Sequence, residues 1–146
     1  MRLLVCTAVL LAARCALAIE SVPVVLYEAR GPHGERVQFR SDTNTLWNLP
    51  IWIAGGAGPP LSLEAATKIA METRLQQSPK ASGISFGGIK LLHRELDHPG
   101  GKVVTWFWVF SVSPVIDAPN RAPIVEPARD IVILLNGKTV EATSLK

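Results

Sequence analysis

Residues 102–112 read KVVTWFWVFSV, and the five positions from Trp106 to Phe110 hold two tryptophans and two phenylalanines. No other stretch limits the fold as tightly. The run is rich in β-branched and aromatic residues and too short to span a bilayer, so it predicts a strand. Alternation then puts Val104, Trp106, Trp108, Phe110 and Val112 on one face, and Val103, Thr105, Phe107, Val109 and Ser111 on the other. Burying each large apolar side chain is worth roughly 1.5–3 kcal/mol, so the first face must be core. If a helix covers that face, Phe107 and Val109 on the second are left as candidate floor contacts for a partner.

A helix to cover it is legible at residues 63–77, LEAATKIAMETRLQQ. Ser62 is a good N-cap, and Glu64 falls in the first turn, where the helix dipole favours a negative charge. Leu63, Ala65, Ala66, Ile69, Ala70 and Thr73 form one broad stripe, and Glu64, Lys68 and Glu72 line the opposite side at i,i+4 spacing. Small alanines let such a helix lie close on a sheet. Pro79 ends it.

Strands surround these two elements. Residues 22–29 and 36–40 predict an N-terminal hairpin around GPHGE. Residues 55–60, rich in Gly and Pro, predict a flexible connection. Residues 89–96 predict a strand pairing with 103–112 across DHPGGK. Asn136-Gly137, between apolar runs, predicts a two-residue type I′ turn, with Leu135 opposite Lys138, Ile133 opposite Val140 and Ile131 opposite Ala142. The expected architecture is α+β: one main helix packed on an antiparallel sheet of about four strands, preceded by an N-terminal β-hairpin.

The first eighteen residues, MRLLVCTAVLLAARCALA, carry the marks of a cleaved secretory signal. Arg2 supplies the charged start, Leu3 to Ala13 the apolar body, and Ala16-Leu17-Ala18 the small-x-small cleavage pattern. Arg14 interrupts the apolar run too early for a membrane anchor, and it is a poor neighbour for a lipid-modified Cys15. Cleavage would remove both cysteines, Cys6 and Cys15, leaving 128 residues that rely on their core. It would also remove two of 15 Lys and Arg against 12 Asp and Glu, lowering the net charge from +3 to +1. An exported, nearly neutral chain is a poor match to nucleic acid. The expected organisation is a signal over 1–18, a hairpin and connection over 19–60, and a helix-on-sheet domain over 61–146.

Several patterns resemble chemistry without its context. Gly83-Ile84-Ser85-Phe86-Gly87 matches the G-x-S-x-G of serine hydrolases, which needs a strand before the serine and a helix after it. Here the order is reversed, so a small hydrolase using Ser85 is the alternative from the enzyme class. His93, Glu95 and Asp97 alternate on one strand face with His98 beside them, but no paired Cys or H-E-x-x-H spacing supports a metal. Arg30, Arg36 and Arg40 with His33 form a basic cluster that a solvated hairpin explains. Trp47 and Trp52 are the candidates for an envelope polysaccharide-binding or structural role. No cofactor is called for.

The segment SPVIDAPNRAPIVEPAR carries prolines at 114, 119, 123 and 127. Connections beyond about 12–15 residues without structure of their own are uncommon and are often binding loops or disordered insertions, so a tolerated insertion is the alternative to a functional loop. Repeated proline favours an extended chain that loses little entropy on docking. Val115, Ile116, Asp117, Arg121, Ile124 and Glu126 are therefore the candidate partner-binding residues, with Phe107 and Val109 as the floor.

From Leu61 onward the chain resembles the PepSY family of exported domains, through LSLEAATKIA at the helix, IKLLHREL and GGKVVTWFWVFSV as strands, and IVILLNGKTVEA as the closing hairpin. The resemblance implies a small non-enzymatic helix-on-sheet domain that binds or inhibits peptidases. The expected function is thus an exported, non-catalytic binding module, periplasmic or extracellular, that recognises or inhibits a protein or peptide partner in the cell envelope. No membrane span is expected once the signal is removed.

Overall fold

The computed structural model of the protein describes residues 20–145, so the leader reading on 1–18 and both cysteines lie outside the described residues. Chain order is β1 (Pro23–Arg30), β2 (Arg36–Asp42), α1 (Thr43–Trp47), α2 (Leu63–Gln77), β3 (Gly83–His98), β4 (Gly101–Ile116), β5 (Ile124–Val125), β6 (Arg129–Leu134), β7 (Thr139–Val140) and β8 (Ala142–Leu145). No helix among these residues is long and apolar enough to cross a membrane.

The expectation of one main helix on a sheet of about four strands is overturned. Among the described residues the chain is mostly β, with two short helices and two sheets. One sheet has the order β1-β2-β8. The other has the order β3-β4-β6-β7, with β5 pairing β4 off that path. All the pairings are antiparallel.

The reason lies in the second face of β4. On one side Trp108, Phe110 and Val112 pack with Ala66 and Ala70 of α2 and with Ile131, Ile133 and Leu135. On the other, Phe107 and Val109 pack with Leu26, Phe39, Leu46 and Leu49, joined by Leu96, Val132 and Leu134. The N-terminal hairpin is therefore a cover, not a preface. It forms a second sheet over the face that the helix leaves open. A strand buried on both sides reads as a nearly continuous apolar run, which is what residues 103–112 are.

Helix α2 runs over the span expected from its sequence. The Ser62 hydroxyl accepts a hydrogen bond from the Ala65 amide at 3.2 Å. Its buried stripe is narrower and runs further than expected, through Ala66, Ala70 and Arg74 at four-residue spacing. Leu63 is exposed. The charge ladder survives as the exposed Lys68–Glu72 pair at 4.0 Å. Trp108 ties the chain entering the helix to the sheet, its indole donating to the Leu61 carbonyl at 3.1 Å.

The closing hairpin departs from its expected register by one residue. The Gly137 amide donates to the Leu134 carbonyl at 2.9 Å, and the Leu134 amide to the Lys138 carbonyl at 2.9 Å. Gly137 has φ +84°, so the turn is a three-residue loop closed by a left-handed glycine, not a type I′ turn with two such residues. Ile133 thus faces Thr139, and Val132 faces Val140. A one-residue shift moves a side chain to the opposite face of a sheet. Val140 accordingly packs against the cluster under the second sheet. The chain then bends away, so that Ala142 pairs with Phe39 rather than Ile131.

Candidate functional site

The proline-rich segment is an ordered hairpin. β4 continues through Val115 and Ile116, which pair with Val125 and Ile124 of β5. Pro114 is fully buried. The Glu126 amide donates to the Pro114 carbonyl at 2.9 Å, and the Ser82 amide to the Val115 carbonyl at 2.8 Å. Asn120 takes a left-handed conformation at φ +59°, and the Arg121 amide closes the turn on Ala118. Asp117 and Arg121 are exposed in this turn. Ile124 and Val125 are 56% and 58% exposed, which leaves two apolar side chains on a held backbone.

Phe107 and Val109 are not part of that surface. They are 1% and 3% exposed in the core cluster beneath the β1-β2-β8 sheet and line neither cleft described below, so they form no floor for a partner. Their assignment as floor contacts treated the helix as the sole cover of β4, and the hairpin supplies the other cover.

Two of the expected residues, Ile116 and Glu126, instead meet the end of α2. They line a cleft of about 340 Å³ together with Arg74, Gln77, Lys80 and Arg129. Arg74 is 3% exposed, the most buried cation among the described residues. Its Nη2 stands 3.9 Å from Glu126 Oε2, and its Nη1 donates to Gln77 Oε1 at 3.4 Å. Its Nε has no partner among the described residues. Burial lowers the Arg74 pKa, and the charge of Arg129 lowers it further, while Glu126 acts in the opposite sense. The sequence did carry a signal for this residue: continuing the i,i+4 stripe from Ala66 and Ala70 lands on Arg74.

Gln77 and Arg129 also border a larger cleft, about 490 Å³, between the two sheets. Asp130, on its wall, accepts a hydrogen bond from the Tyr27 hydroxyl at Oδ2, 2.9 Å away. Burial, then the hydrogen bond, then the Asp130 charge push the Tyr27 pKa up to about 12. A raised phenol pKa contributes stability that is fully present below the unfolded value near 10 and is lost as pH rises through about 12. Urea midpoints should therefore fall more steeply between those pH values in the wild type than in Tyr27→Phe. Equal slopes would remove this linkage.

The remaining sequence candidates are spoken for elsewhere. Ser85 lies inside β3 opposite Ser113, with strand on both sides, so it lacks the strand-to-helix turn of a nucleophile elbow. His93 packs against Trp106 with ring centroids 4.8 Å apart, and His98 meets Trp47 edge-on at 4.9 Å. Glu95 pairs with Lys102 at 3.4 Å. No group of three potential metal ligands is gathered among the described residues. Arg36 is bonded to Glu28, whose pKa is depressed first by that bond and then by Gln38. Arg40 donates to Gln38, so much of the basic hairpin is matched within itself. Trp52 is half-buried against Trp106 at 4.8 Å, and its indole donates to the Ala57 carbonyl. Its polar edge is used to hold the Gly/Pro-rich segment.

No family model, curated protein or solved structure matches this chain.

Proposed function

We propose that this chain is an exported, non-catalytic binding module that recognises an extended peptide segment of a protein partner in the cell envelope. One observation carries the reading: the exposed Ile124–Val125 pair immediately precedes Glu126, which lines the cleft holding the buried Arg74. Exposed apolar side chains on the strand that leads into a cationic cleft offer an extended chain both a surface to cover and a charge to meet. The hairpin is ordered before any partner arrives, which reduces the entropy lost on docking. Export rests on the leader pattern of residues 1–18.

The full chain, expressed with its leader and purified after export, would be applied to an array of random synthetic peptides with free carboxyl ends. The expected result is a set of enriched peptides with apolar residues, most of whose signal disappears when Ile124 and Val125 are both changed to serine. These side chains are exposed, so their replacement should leave the fold intact. An array without enrichment, or enrichment indifferent to the double change, would overturn the reading.

A further inference from the structure

The Arg74 cleft has the electrostatics of an incomplete ion pair. A guanidinium presents five donors in a rigid fork, and a buried one ordinarily has them matched. Arg74 makes a single long hydrogen bond, to Gln77, while the carboxylate of Glu126 stands 3.9 Å from Nη2, beyond hydrogen-bonding reach. Nε is buried and unpartnered among the described residues. Around it the cleft gathers Lys80 and Arg129, making three cations against the one carboxylate. This is a costly arrangement for a folded chain to hold without gain, because like charges repel and the desolvated fork is left half-matched.

We infer that this cleft binds the carboxylate of the partner peptide, with Arg74 as the fork that receives it and Arg129 and Lys80 as flanking charges. The inference rests on the peptide-binding reading and specifies its anchor. A carboxylate receives charge-assisted N–H bonds from a guanidinium, and Nη2, which makes no hydrogen bond, is the donor left for it, while the buried Nε lies behind it and reports its arrival. Glu126 shows that the cleft accepts this group and marks the side from which it approaches. Glu126 also favours a monoanion over a doubly charged phosphate, since it repels every added negative charge. Ile124 and Val125, exposed on the two residues before Glu126, offer apolar surface that suits a peptide and has nothing to offer a free phosphate.

The test follows the Arg74 Nε–H signal by NMR in the ¹⁵N-labelled exported chain, assigned by its loss in Arg74→Lys. Four probes are titrated: acetate, inorganic phosphate, an N-acetylated Val-Ile-Ala tripeptide with a free carboxyl end, and the same tripeptide as its amide. A saturable shift with the free acid and with acetate, absent with the amide, is the expected result. A tripeptide amide carrying aspartate at its centre then separates a side-chain carboxylate from a chain terminus as the source. Should Arg74→Lys fail to fold, Arg129→Gln, an exposed change, keeps the test decisive: it should weaken the free acid by roughly three- to fivefold. Glu126→Gln should tighten it. A signal unmoved by the carboxylates, moved equally by the amide, or moved by phosphate alone would overturn the inference. Peptides that bind through Ile124 and Val125 while Nε–H stays still would sink the carboxylate anchor alone. Acetate shifting Nε–H where the array enriches nothing would sink the peptide reading and leave the anion site standing.

Discussion

Replacing Phe107 by alanine is expected to destabilise the protein by about 3–5 kcal/mol, a large share of the roughly 5–15 kcal/mol that holds a domain together. The ring is 1% exposed between β4 and the β1-β2-β8 sheet, among Leu26, Phe39, Leu46 and Val132. Its loss would leave a cavity that two sheets cannot easily close. Val104 is on the same strand but 41% exposed, so Val104→Ala should stay within about 0.5 kcal/mol. Urea unfolding of the two variants side by side measures the difference. The comparison also separates the two roles proposed for Phe107 by sequence and by structure. If Phe107→Ala unfolded at the wild-type urea concentration and lost only peptide binding, the second sheet could not be lying over it.

The second large effect is expected at the other face. Ala70 is fully buried where α2 meets the sheet, near Phe110 and Ile133. The absence of bulk there is what allows the helix to approach. Ala70→Leu adds a side chain with nowhere to go and should cost about 1–3 kcal/mol, whereas Ala65→Leu, on the exposed side, should be near neutral. Arg74 lies one turn further along the same stripe, so raising the helix would also admit water to its guanidinium. Faster hydrogen exchange at Arg74 Nε–H would therefore accompany the loss of stability. A neutral Ala70→Leu would mean that the helix does not bear on the sheet at this point.

The residues that could be read correctly are those whose conformation is decided within a few positions. Helix α2 begins at its Ser62 cap and ends before Pro79, as its sequence indicates, because capping and helix propensity are local. The Gly34 and Gly137 turns fall where glycine sits between apolar runs, since the left-handed conformation costs that residue little. The register of the second turn could not be read in the same way. Two-residue and three-residue loops both accommodate Asn136-Gly137, and the choice here places Leu135 in the helix-side cluster and Val140 under the second sheet.

The candidate site divides along the same line. Ile116, Ile124 and Glu126 were legible as members of a proline-rich segment; Ile116 and Glu126 line the cleft, and Ile124 pairs with Ile116 across the hairpin. Arg74 is hard to place from sequence because arginine on a helix normally points to solvent, and only the packing of α2 against the assembled sheet buries it. Phe107 and Val109 were misplaced for the complementary reason. Their apolar character showed that they must be covered or must bind something, but not which.

Local patterning, then, was enough to place α2, the N-terminal hairpin and the two long central strands, and to show that both faces of β4 are apolar, but not α1, β5 or the register of the closing turn. Which element covers each face was decided only in the assembled fold. Burial is non-directional, so an apolar face does not specify its cover. The hairpin of β1 and β2 reaches it by pairing with β8, more than a hundred residues away along the chain, and no short-range signal encodes that contact.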